Sequence, residues 1–364
     1  MEIDRSFAKI HLDNLLFNYN QAKERVGNSK VLAVVKADAY GHGSIKCARR
    51  LEDNGCEYFA VASLLEAIEI REAGINGNIL IFGRTNIVNN CYLSKYNLIQ
   101  TVHSLDYAKK LSECNKTIRI HVNIDTGMSR FGLYLHEESD LDQIINDINS
   151  IQQLPNIKYE GLYTHFASSD EVCKDFCNQQ FAMFKLLIDR MNKENIYTGM
   201  KHVANSAVVV SHPDKYLDMV RFGIGLYGYP HTRDNIKLKP VMEVFSSVTS
   251  IRTIKPGDTV SYGRLYKAKK EERIATIAIG YADGYNRLLS NKDYLLYKNK
   301  KLPVIGRVCM DAIMVSIGEL NIQEGDVVEV FGENKPLEYM CEIVKTIPYE
   351  LLCNVSKRIP RLYD

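Results

Sequence analysis

The chain has 364 residues, which suits about two domains rather than one small core. A composition that is 46% hydrophobic and 25% charged excludes wholesale disorder, because there is ample apolar surface to bury. Lys and Arg total 46 against 44 Asp and Glu, a formal net charge of +2, which argues against a dedicated nucleic-acid binder.

The opening MEIDR is charged and lacks the apolar core of a signal peptide. No window approaches the ~18 consecutive apolar residues that a membrane span needs. Residues 31–37 (VLAVVKA) read as a buried strand, followed by a helix over 43–52. Residues 58–63 (YFAVAS) give the next strand, and Leu65, Ile68 and Ile70 mark an amphipathic helix. Strands continue at 79–82, 98–102, 118–124, 159–166, 201–204 and 219–222. Phe181, Phe184, Leu187, Ile188 and Met191 recur at helical spacing over 174–194. Apolar runs alternating with helices indicate parallel strands with crossover helices. About eight such units fit a (β/α)8 barrel, with a doubly wound sheet as the alternative.

After residue 236 the pattern becomes a mostly antiparallel β domain, with VMEVFSSVTSIRTI, ERIATIAIGY, LPVIGRVCM, AIMVSIG and DVVEVFG as strands. One helix, near 337–346, interrupts it. The expected division is therefore a barrel over 1–235 and a β domain over 236–364, with the first ~10 residues able to pair with the β domain. Nine cysteines are scattered without a CxxC pair. That argues against both a disulfide framework and a zinc site, and for free thiols in a reducing compartment.

Lys36 stands at the end of the first strand, where a barrel presents its active-site face. A lysine there can form a Schiff base with a carbonyl or snorkel to solvent. Later strand ends carry Asp125 and Arg130, His165, Asn205 and Ser206, and Arg221. Five polar strand ends on one rim are hard to dismiss as satisfied core residues. Gly223, Gly225 and Gly228 would let backbone N–H groups approach a phosphate.

The segments VVKADAYGHG, THFASSDE, NSA, MVRFGIGLYG, VSYGRLY, IAIGYADGYNR and GRVCMDAIMV, in this order, resemble the alanine racemase family over nearly the whole chain. The resemblance implies a barrel that binds pyridoxal phosphate, a β domain, and a head-to-tail homodimer with shared active sites. It implies Lys36 as Schiff-base lysine and one base, and Tyr262 as the opposing base, reaching the partner subunit's cofactor. It places Arg221 on the pyridine nitrogen with His165 packed behind it. Tyr40, Ser206, Gly223, Ile224 and Lys357 would surround the phosphate. Arg130 would seat the substrate carboxylate, and Tyr281 and Met310 would line the substrate path.

The chemistry agrees. Two bases on opposite faces of the cofactor can remove a proton from one side of Cα and deliver it to the other. Arginine keeps its proton, so Arg221 is a poor acid toward the ring nitrogen, which disfavours transamination. Arg221 also argues against a decarboxylase of the same architecture, and Tyr262 with the β domain argues against a cofactor carrier.

Two positions depart from the family. Asn123 stands where many members carry a carbamylated lysine, so Arg130 is expected to be oriented by a neutral amide or a captured anion such as chloride. Lys357 replaces a tyrosine, with Asn354 three residues earlier. These polar groups suggest that serine is accepted as well as alanine. In this the chain resembles membrane serine racemases of vancomycin-resistance operons. The expected setting is cytoplasmic, as a cytoplasmic enzyme or the cytoplasmic part of a membrane-anchored protein.

Overall fold

The computed structural model describes residues 5–171, 173–229 and 236–364. The opening residues through Asp4 and the expected domain boundary at 235 lie outside them. Two compact units are present: Leu15–Ala39 with Ser44–Lys239, and Met1–Asn14 with Tyr40–Gly43 and Pro240–Asp364. No helix among the described residues is long and apolar enough to cross a membrane.

In the first unit, eight parallel strands pair in the order Met219–Phe222, Lys30–Val34, Tyr58–Val61, Asn78–Ile81, Ile99–Val102, Ile118–Asp125, Ile157–Tyr163 and Met200–His202. The ends meet: Asp218 N–H donates to Lys201 O at 3.1 Å, and Arg221 N–H to Ala204 O at 2.8 Å. The sheet is therefore a closed (β/α)8 barrel, and the doubly wound alternative is set aside. Its strands are continuous apolar runs because one face fills the barrel and the other meets helices. Leu32, Phe59, Ile120, Val122 and Leu162 are fully buried.

Local sequence sets the helices. Ser63 and Glu66 form a capping box that starts Leu64–Glu72, and Ser104 caps Leu105–Ser112. Leu141–Gln152 buries Leu141, Ile144, Ile145, Ile148 and Ile151 along one stripe. Asp175–Lys193 buries Phe184, Leu187, Ile188 and Met191. Cys173 precedes it, and buried Gln180 belongs to its inner face beside half-buried Phe181.

In the second unit, Met242–Ile254 is the organising strand. Register shifts at Val244/Phe245 and Val248/Ser250 bend it, so one half pairs with Val327–Phe331 and the other with Glu272–Ile277. Ile313–Ser316, Lys300–Ile305 and Tyr294–Tyr297 complete the ring between them. Phe7–Ile10 pairs antiparallel to Met242–Phe245, and Arg361–Tyr363 adds a parallel strand to Phe7–Ile10. Two helices follow the ring, Leu337–Val344 and Pro348–Asn354, where the sequence suggested one. Lys345 in the left-handed region ends the first, and Pro348 starts the second at the position proline tolerates.

This unit also buries an ion pair. Lys335 Nζ donates to Asp293 Oδ2 at 2.8 Å, and neither side chain reaches solvent. Tyr285 OH donates to the same oxygen at 2.5 Å. Removing one partner leaves an uncompensated charge in the core. Lys335→Met should therefore destabilise the protein by about 3–5 kcal/mol. The double variant Lys335→Met/Asp293→Leu should recover most of that loss in urea unfolding. An additive double variant would contradict the pairing.

Candidate active site

Lys36 lies just past its strand, which stops at Val34 rather than running through position 37. Val35 N–H still donates to Ala60 O at 2.9 Å. Ala37, Asp38, Ala39 and Tyr40 then adopt φ of 53–54°, a full left-handed turn of non-glycine residues. Each costs roughly 1–2 kcal/mol, so the turn needs external support. Glu66 Oε1 accepts Ala37 N–H at 2.7 Å and Asp38 Oδ1 accepts Ser44 N–H at 2.8 Å. Ala39 N–H reaches back to Val35 O at 2.9 Å. The lysine is thus presented on a fixed, strained backbone.

A cavity of about 270 Å³ opens beside it, lined by Lys36, Asn123, Arg130, Tyr163, His165 and Arg221 among others. Arg221 is 3% exposed. Its Nη1 donates to His202 Nδ1 and His202 O, both at 2.9 Å. Its Nη2 donates to Thr164 O at 2.8 Å, Val203 O at 3.1 Å and His165 Nδ1 at 3.1 Å. The Tyr163 ring lies 5.1 Å from the guanidinium carbon. These acceptors engage both terminal nitrogens and leave Nε–H as the donor for a ligand. Burial pulls the Arg221 guanidinium down to about 10, still cationic near neutral pH.

His165 lines the cavity beside Arg221, with its Nδ1 3.1 Å from Arg221 Nη2. His202, the second histidine against Arg221, is fully buried and does not line the cavity. His202 Nε2 lies 2.9 Å from His121 Nδ1. The sequence reading missed both histidines and Gln180. Gln180 Nε2 donates to His165 O at 3.2 Å and its Oε1 accepts Ala167 N–H at 3.0 Å, tying the long helix to the rim. One signal was present: His121, Asn123 and Asp125 share a strand face at alternate positions.

Asn123 donates from Nδ2 to Phe131 O at 2.8 Å, and its buried Oδ1 has no hydrogen-bond partner. Arg130 is exposed on the same cavity wall. Asp125 Oδ1 accepts Gly127 N–H and Ser129 N–H, both at 3.0 Å, shaping the loop that leads to Arg130. Ser206 Oγ accepts Gly223 N–H at 2.8 Å and Gly225 N–H at 3.3 Å, which ties the glycine loop to the start of the Ser206–Ser211 helix. A Cβ on Gly225 would come within 2.3 Å of the Phe222 ring, so only glycine lets this loop close.

In the β unit, Tyr262 is 71% exposed. Ser261 before it has φ 67° with ψ −177°, a region nearly reserved for glycine, and Gly263 after it also has φ 67°. Ser261 Oγ donates to Arg307 O at 2.7 Å and anchors the turn. Tyr281 and Met310 are exposed neighbours: Tyr281 N–H donates to Cys309 O and Ala282 N–H to Met310 O, both at 3.0 Å. Tyr40 is buried against Tyr349, with ring centroids 5.8 Å apart, and burial pushes its phenol up. Asn354 and Lys357 are exposed.

The barrel residues suit pyridoxal phosphate. Lys36 offers an amine to an aldehyde, Arg221 Nε–H suits a ring nitrogen, and the Ser206 hydroxyl, which accepts from two backbone N–H groups and keeps its own O–H to donate, suits a phosphate.

Burial holds His165 and His202 well below the ordinary imidazole value, and brings His121 from 6.5 to about 4. Between those values the unfolded chain binds protons that the folded chain does not. Stability should therefore be full above about pH 6.5 and fall toward pH 4, by up to roughly 1.4 kcal/mol per pH unit for each histidine. Urea unfolding between pH 4 and 7 measures this, and a flat profile would contradict neutral burial.

Comparison with known proteins agrees with this geometry. The family model described as alanine racemase, N-terminal domain, matches residues 10–231, and alanine racemase, C-terminal domain, matches 241–363. Alanine racemase 1 of Clostridium acetobutylicum is 40% identical, over 98% of this chain and 95% of that protein. An alanine racemase structure from Clostridium difficile 630 superposes with a TM-score of 0.93 at 38% identity, covering 100% of this chain and 96% of the other. The Bartonella henselae alanine racemase with covalently bound pyridoxal phosphate gives a TM-score of 0.89 at 31% identity, covering 99% of each chain. Matched by family models along both halves, the chain belongs to the alanine racemase family and is a pyridoxal phosphate-dependent amino-acid racemase.

Proposed function

We propose that the protein interconverts L- and D-alanine with Lys36 and Tyr262 as its two bases. The observation that carries this is the cavity joining Lys36, Arg130, His165 and Arg221 at the strand ends. Relatives named alanine racemase support alanine as the substrate, and an alanine racemase from Bacillus anthracis holds L-Ala-P.

When bound, pyridoxal phosphate supplies the electron sink that acidifies the substrate Cα proton. Lys36 carries the cofactor and moves a proton at one face of Cα. Tyr262 of the partner subunit moves a proton at the opposite face. Its exposure on a strained, anchored turn supports that role. Arg221 donates from Nε to the ring nitrogen and, unable to release its proton, leaves that nitrogen a weak electron sink. Arg130 seats the substrate carboxylate, and Tyr281 and Met310 line the path from the partner side. Ser206, Gly223 and Ile224 hold the phosphate. Tyr40 and Lys357 receive the same assignment from the family resemblance alone.

The functional division proposed is a cofactor barrel over 1–235 and a β domain over 236–364, working as a cytoplasmic homodimer. Its D-amino acid would feed peptidoglycan precursors. A captured anion such as chloride beside Asn123 and Arg130 stays in this proposal, because the Asn123 amide keeps one of its two N–H donors after serving Phe131 O. Serine is the second substrate reading, favoured by the exposed polar pair Asn354 and Lys357. The relatives compared support alanine.

The holoenzyme should show an absorbance band lost on borohydride reduction, and Lys36→Ala should lack it. Lys36→Ala and Tyr262→Phe should each lose activity by about 10²–10⁴-fold, the range of general acid–base groups. Mixing those two inactive subunits should restore one functional site per heterodimer. Failure to complement, with heterodimers present, would contradict a shared site. Turnover of L-serine against L-alanine in Asn354→Ala and Lys357→Ala tests the second substrate, and an unchanged ratio in both would remove it.

A further inference from the structure

Two histidines outside the proposed catalytic set form a relay into Arg221. His121, His202 and Arg221 are 2%, 0% and 3% exposed, so water does not mediate between them. Arginine has donors only. His202 Nδ1, 2.9 Å from Arg221 Nη1, must therefore present its lone pair. The His202 proton is then on Nε2, which points at His121 Nδ1, 2.9 Å away. His121 accepts there and carries its own proton on the other nitrogen. The Tyr163 ring stacks on His202, with centroids 4.6 Å apart at 12°, and fixes the ring plane.

We propose that His121 is a positioning residue whose Nδ1 locks His202 in its Nε2–H tautomer, which in turn keeps Arg221 aimed at the cofactor ring. Without that acceptor, the His202 Nε2–H stands unpaired in a dry core. The opposite tautomer avoids that orphan donor but sets the Nδ1–H against the Arg221 Nη1–H. Arg221 must then turn, and its Nε–H leaves the ring nitrogen. The inference rests on the proposed placement of Arg221. Its consequence is reaction choice. An amino acid and pyridoxal phosphate can exchange the amino group and two electrons, giving keto acid and pyridoxamine phosphate. The α-proton then ends on the cofactor carbon instead of returning to Cα, and no outside oxidant is needed. A fixed arginine partner suppresses that exchange.

Neutron diffraction of the wild-type holoenzyme reads the relay directly, with deuterium expected on His202 Nε2. Deuterium on His202 Nδ1 would overturn the proposal, whatever any variant does. The second measurement is the fraction of L-alanine turnovers that end as pyruvate. In cofactor-loaded His121→Phe this fraction should rise about tenfold, while His121→Gln, whose amide oxygen can accept, should stay near wild type. An unchanged fraction in His121→Phe would sink the lock, provided Arg221→Lys raises it. If Arg221→Lys also leaves it unchanged, the placement of Arg221 fails instead.

Discussion

Arg221 keeps a full charge where almost none of it meets solvent, and the barrel rim is arranged around that constraint. A buried guanidinium is tolerated only when its donors are met. Here the acceptors come from two consecutive barrel strands and the residues that follow them: Thr164, His165, His202 and Val203. Those contacts tie neighbouring strand ends to one cation. They also determine which donor is left over. With both terminal nitrogens engaged, the Nε–H is the donor left for a ligand, one directed hydrogen bond in place of a diffuse positive charge.

Both proposed bases are carried on unfavourable backbone. Lys36 precedes four residues in the left-handed region, and Tyr262 sits between Ser261 and Gly263 at positive φ. A relaxed loop would leave such side chains free to sample many positions. Strain held by named contacts does the reverse, because few conformations satisfy the anchors at once. Glu66 serves the first turn while also capping its own helix, and Arg307 serves the second. Proton transfer to a single carbon from opposite faces demands that degree of fixity.

Much of this was legible from residues alone. Eight apolar runs with intervening helical stripes announced a barrel, and polar residues at five strand ends announced its working rim. The same pattern concealed what lies beneath the rim. In a parallel strand both faces are buried, so alternation does not separate inside from outside. His121 and His202 therefore read as ordinary strand residues. Gln180 was hidden for a similar reason: a helical stripe is counted in apolar residues, and a buried amide does not register. The second helix at Pro348–Asn354 escaped because it is short and follows the first after a left-handed lysine.

Sequence by itself determined the class of the protein. Motif order, the lysine–arginine pair and the change of periodicity near residue 236 required no coordinates. Tertiary structure alone decided which groups touch. The acceptors of Arg221 and the place of His202 beneath the rim depend on strands distant in sequence meeting in register. Register is set by sheet closure and packing, which are non-local. Hydrogen-bond partners inside a barrel are therefore a property of the closed sheet, not of any one of its strands.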